Sequence, residues 1–170
     1  RDAGLENDTI VITVADNGVE PGKYTCHQRG VRLPMMMKWP AQIDPGTVVT
    51  ERVQHIDLVP TLLEAASAAA PADARIDGTS FLGAVTGCSS LERDALYFEV
   101  GMTRGVLKGD LKYIALRYKP ALINAMESGS LDMAPDTAGA TNQMHNDIAI
   151  RYYPSYFDPD QLYDLPADPN

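Results

Sequence analysis

Cysteine is scarce in this sequence, and Cys26 and Cys88 are the only two. They lie far apart and lack the paired spacing of a metal site, leaving room for one disulfide or none. Basic charge is short as well: 14 Lys and Arg stand against 23 Asp and Glu, a formal net charge of −9. A nucleic-acid binder would normally show a basic face, so nucleic acid is not an expected partner. An anionic substrate would have to be drawn in by a local cation, because the overall field repels it. No apolar run approaches the ~18 residues of a membrane span, and no membrane span is expected. Internal repeats and low-complexity tracts are missing too. So are an initiating Met and a signal peptide: the chain opens on Arg1-Asp2-Ala3-Gly4-Leu5, which reads as the last turn of a helix with its Gly stop. It ends on Asp168-Pro169-Asn170, a loop about to enter another element. The expectation is a piece of a longer protein.

What is present is organised around Thr9-Ile10-Val11-Ile12-Thr13-Val14-Ala15-Asp16-Asn17-Gly18. The β-branched, nearly continuous apolar run predicts a parallel strand buried on both faces. Asp16, Asn17 and Gly18 stop it with turn chemistry. In open α/β sheets, ligands sit beyond the carboxyl ends of strands, and two adjacent oxygen donors there suit a hard cation such as Ca²⁺ or Mg²⁺. By itself the triplet also serves as a plain turn.

A polar loop over about 18–30 follows, holding Glu20, Lys23, His27, Gln28 and Arg29. Val31 to Pro40 reads as a second buried strand with Pro34 near its start, and Thr47–Val53 as a short one. A helix is expected from His55, with Asp57 as its N-cap and Pro60 in the first turn. A shorter one, through Phe81, Leu82 and Val85, should close at Gly87. From Arg93 the pattern changes to an antiparallel meander: Ala95–Val100, Thr103–Leu107 and Leu111–Leu116, the last two joined at Lys108-Gly109-Asp110. A long insertion, polar over 127–143 and flanked by short helices near 121–127 and 143–151, precedes a last strand at Gln161–Leu165.

These pieces, in this order, resemble the C-terminal portion of the sulfatase family, the formylglycine-dependent branch of the alkaline-phosphatase superfamily. The resemblance is carried by Ile10 to Gly18, Gly22-Lys23, Gly30-Val31-Arg32-Leu33-Pro34 with Lys38-Trp39-Pro40, and Pro45-Gly46-Thr47. It continues through His55 to Leu63, Asp77-Gly78-Thr79-Ser80, Arg93-Asp94-Ala95-Leu96-Tyr97 and Leu162-Tyr163-Asp164-Leu165. It implies an α/β fold: the edge of a mixed or parallel alkaline-phosphatase-like sheet over residues 1–92. A small α+β subdomain with an antiparallel sheet would follow over 93–170, with an insertion at about 118–160.

The resemblance also implies roles. Asp16 and Asn17 would be ligands of one divalent cation, usually Ca²⁺, with Mg²⁺ as an alternative. Lys23 would reach an oxygen of the bound sulfate group and stabilise its charge as the ester breaks. Arg32 is matched, with a structural ion pair or catalysis both open to it. His55 and Asp57 would cap the helix and orient its loop. His27-Gln28-Arg29 departs from the family, which commonly has Tyr or Phe, Glu and Gly here. His27 and Arg29 are therefore candidates to face the pocket and bind substrate, with a plain solvated loop as the alternative. Arg104 and His145 are further subsite candidates, a lone His being more often structural.

The family's nucleophile is a formylglycine made from Cys or Ser in a Cys-x-Pro/Ala-x-Arg signature, and neither Cys26 nor Cys88 has that context. It would lie in the N-terminal half with the remaining metal ligands. The fragment alone is then expected to be inactive, to need that half as its partner, and to self-associate through exposed sheet edges. The parent would hydrolyse a sulfated small molecule or glycan and be exported, to the periplasm or beyond. Rival readings are a phosphodiesterase or phosphonate monoester hydrolase of the same superfamily, and a non-catalytic carbohydrate-binding module. The module would use Tyr97, Tyr113, Tyr118, Tyr152, Tyr153 and Tyr156.

Overall fold

A computed structural model describes residues 3–130 and 149–168. His145 and most of the polar insertion lie outside the described residues; of the helix expected over 143–151, residues 149–152 are helical. In order, the elements are β1 (Val11–Val14), α1 (Gln28–Val31), β2 (Met35–Lys38), a 3₁₀ turn (His55–Asp57), α2 (Leu58–Ala65) and α3 (Leu82–Thr86). Then come β3 (Leu96–Val100), β4 (Thr103–Lys108), β5 (Leu111–Leu116), α4 (Pro120–Glu127) and β6 (Asp160–Asp164). The chain clusters into two compact units, Arg1–Thr13 with Met36–Asp94, and Val14–Met35 with Ala95–Asn170. Residues 14–35, assigned by sequence to the first domain, thus cluster with the antiparallel sheet.

In the first unit β1 and β2 form a two-stranded sheet. Neither is buried on both faces as its composition predicts: Val11 is 52% and Met36 65% exposed. Among the described residues each strand has one neighbour, so nothing covers the remaining apolar surface. The strand expected at Thr47–Val53 does not form. That segment finds no partner ladder, and Val48 stays in solvent.

Asp57 does not cap α2 with its side chain. Its fully buried carboxylate instead joins three parts of the chain. It accepts from the Gln54 N–H at 2.7 Å, the Thr79 N–H at 2.8 Å and the Arg93 guanidinium at 2.6 Å. Thr61, one turn along, donates to the Asp57 carbonyl and accepts from the Phe81 N–H. The sequence motifs around 57, 79 and 93 are thus parts of one knot. α3 stops where expected, at Gly87 in the left-handed region (φ 73°).

The second unit holds a four-stranded antiparallel sheet, order β3-β4-β5-β6. Its meander follows the alternation and the turn at Gly109, as predicted. Alternate residues fill an inner face: Leu96, Leu107, Ile114, Leu116 and Gln161 are all buried. The other face carries Tyr97, Val106, Tyr113 and Leu162, cross-strand neighbours in a single row, with Tyr97 73% exposed. A second core forms where α4 and residues 149–157 meet the end of β5, around Leu116, Met126, Ala149, Tyr153 and Tyr156. Tyr153 and Tyr156 are therefore packing residues and are not available to stack on a sugar.

Candidate functional site

β1 delivers the Asp16–Asn17 pair to the head of a tight loop in the second unit. The Asn17 amide nitrogen lies 2.7 Å from Asp16 Oδ2, so the two side chains share one place. The loop then folds back on itself. Gly18 N–H donates to Gly30 O and Val19 N–H to Arg29 O, both at 3.0 Å. A Cβ on Gly18 would lie 1.9 Å from the Arg29 carbonyl oxygen, and one on Gly30 2.3 Å from the carbonyl oxygens of Gly22 and Thr25. Only glycine admits this approach.

Lys23 follows, half-buried, its ammonium 5.2 Å from the centroid of the Tyr24 ring. Tyr24 itself sits at φ 62°, a left-handed conformation that costs a non-glycine residue about 1–3 kcal/mol. Arg29 is exposed, donates to the Glu20 carbonyl and lies with its guanidinium carbon 5.5 Å from the Tyr152 ring centroid. Arg32 is exposed. Arg104, exposed on β4, pairs with Glu99 at 2.7 Å.

His27 requires a correction. It is 2% exposed, with Nε2 3.2 Å from Gln161 Oε1 and 3.3 Å from the Tyr163 hydroxyl. Its ring stacks on Tyr153 with centroids 3.8 Å apart. Desolvation pushes its pKa down to about 4, so the imidazole is neutral near pH 7. Gln161 Oε1 accepts from both neighbours, which assigns the proton to Nε2. A neutral ring enclosed in this way binds no substrate; it fastens the loop to β6.

Lys112 plays a related part that the sequence reading missed. It is fully buried in the inner row of the sheet, donating to Gln28 Oε1 at 3.0 Å with its ammonium 4.8 Å from the Phe98 centroid. Desolvation lowers its pKa to about 8. The alternation of β5 could have revealed it, since 112, 114 and 116 must share a face. Beside it Cys26 is buried, its thiol pushed up to about 11, and neither cysteine is bonded to another.

The donors Asp16 and Asn17 suit a hard cation, since both offer oxygen. Among the described residues no group of three or more His, Cys, Asp or Glu could hold a metal ion. The balance of the about 6–8 oxygen ligands Ca²⁺ takes would therefore come from elsewhere.

Residues 22–105 match the family model described as N-sulphoglucosamine sulphohydrolase, C-terminal. Human arylsulfatase A is 29% identical over 182 residues, which covers 99% of this chain and 33% of that protein. The chain is thus similar to sulfatases over nearly its whole length. An ulvan-active sulfatase of Formosa agariphila is 31% identical over 110 residues, covering 65% of this chain and 21% of that protein. The solved structure of BT4656, in complex with its substrate D-glucosamine-2-N,6-O-disulfate, superposes with a TM-score of 0.67 at 19% identity. That match covers 99% of this chain and 30% of the other. The chain thus shares their alkaline-phosphatase-like α/β fold, and spans about a fifth to a third of the length of these curated relatives.

Proposed function

We propose that the parent protein hydrolyses sulfate esters of a carbohydrate, with this chain supplying part of the cation site and one substrate-binding cation. The observation that carries this is the Asp16–Asn17 contact at the end of β1, on the same glycine-pinched loop as Lys23. Asp16 and Asn17 would hold Ca²⁺, with Mg²⁺ as the alternative. The bound cation would stabilise negative charge on a sulfate oxygen. Lys23 adds an ammonium near the same group, and Arg29 is an exposed cation at the loop's rim. In the reaction the ester oxygen leaves sulfur, water's oxygen ends on it, and the alcohol departs protonated. A carbohydrate substrate is supported by the amino sugar in the matched model's description.

The nucleophile, a formylglycine, and the remaining ligands are assigned to the rest of the parent protein. The chain alone is accordingly inactive. Export is part of the same reading; no helix among the described residues is long and apolar enough to cross a membrane. The test is turnover of a sulfate ester by the full-length protein with Lys23→Ala. One charge pair about 4 Å apart at an effective dielectric near 20 is worth roughly 4 kcal/mol. Loss of one preorganised donor to the developing charge should therefore lower kcat by about 10²–10³-fold. An unchanged kcat removes Lys23 from the mechanism.

A further inference from the structure

The buried cation of the second unit is not explained by packing. Lys112 lies in the inner row of the sheet, with Leu107 and Tyr163 as its cross-strand neighbours. Its contacts, the Gln28 side-chain carbonyl and the face of Phe98, are both uncharged. Among the described residues no carboxylate pairs with it to offset the desolvation of an ion. A methionine would occupy similar space without that penalty. What the lysine adds is a fixed donor for Gln28.

Gln28 opens α1, and the carbonyls of the next two residues receive the N–H groups of Val19 and Gly18. Gly18 adjoins Asn17. Gly22, pressed against the Arg29 side chain, adjoins Lys23. A short chain of contacts therefore runs from the ammonium to both parts of the candidate site. We infer that Lys112 is a positioning residue, which holds through Gln28 the turn that sets Asp16, Asn17 and Lys23. Its consequence for rate rests on the sulfatase reading; its geometry can be tested separately.

The experiment takes the full-length protein with Lys112→Met. Amide hydrogen exchange at Gly18 and Val19 should speed up about tenfold or more while the amides of β3, β4 and β5 keep their protection. Turnover of a sulfate ester should fall about tenfold with the melting temperature nearly unchanged. Unchanged exchange at the two amides overturns the inference. So does faster exchange throughout the sheet with a matching fall in melting temperature, because Lys112 would then be purely structural. Gln28→Glu guards against a variant that does not fold. A carboxylate facing the ammonium should slow exchange of the same two amides, and no slowing also overturns the inference. If the unaltered protein turns over no sulfate ester, the proposed function fails, and exchange still decides the role of Lys112.

Discussion

At His27 burial and protonation oppose each other. Desolvation holds the folded-state pKa near 4, whereas the unfolded chain titrates near 6.5. Between these values the unfolded state binds more protons, so stability falls as pH drops from 6.5 to 4 and levels off below. The loss is on the order of 3 kcal/mol. Denaturant unfolding at pH 7 and pH 4.5 should show it, and His27→Phe, which keeps the stack on Tyr153, should lose that part of the pH dependence. Equal slopes for both proteins would mean that the ring is hydrated. Asp57 makes the complementary case, a buried charge whose partners are all in place. Asp57→Asn leaves the Arg93 guanidinium without its anion and turns an amide nitrogen toward N–H donors. Removing one partner from a buried pair costs about 3–5 kcal/mol, which the midpoint of chemical unfolding would report. A shift below about 1 kcal/mol, the range of exposed pairs, would mean that water already screens it.

The loop between β1 and β2 is the element on which the proposed function turns, and its shape depends on backbone meeting backbone. Gly18→Ala would put a methyl 1.9 Å from the Arg29 carbonyl oxygen, an atom that cannot rotate aside. The loop must open there, with a cost of about 1–3 kcal/mol. In the full-length protein, stabilisation by added Ca²⁺ should weaken, read as a smaller rise in melting temperature than the unaltered protein shows; an equal rise would mean that Asp16 and Asn17 tolerate an opened loop.

Very little of this loop was legible in the sequence. Polar residues among glycines look solvated, and His27 is buried by residues far along the chain: Tyr153, Gln161, 134 residues away, and Tyr163. No local pattern carries that information. The antiparallel strands were legible for the opposite reason: alternation and the turn at Gly109 are local, and the cross-strand register follows from them. The Asp16–Asn17 pair was legible as a type of chemistry at a strand end; that the two side chains touch was not. Asp57 was seen as a helix cap because its two more distant partners, Thr79 and Arg93, lie 22 and 36 residues on.

On the scale of the whole molecule, the units differ in how much of their apolar surface they bury. The second holds a four-stranded sheet and a core that Leu116 joins to its β5. The first has a two-stranded sheet, a form marginal in water unless something packs on it. Leu5, Val11 and Met36 are each more than half exposed there. On the proposal that the parent continues this sheet, those side chains are the ones its missing strands would cover. Without them the same surface and the open ladder edges offer a template for another copy. The isolated chain should therefore associate as concentration rises, with a sedimentation coefficient that climbs across the micromolar range. Charge at that surface opposes such pairing, so Val11→Lys with Met36→Lys should hold the chain monomeric while leaving the second unit's sheet protected from exchange. A single, concentration-independent species before either substitution would mean that β1 and β2 suffice for each other, and with that the case for absent neighbouring strands would fall.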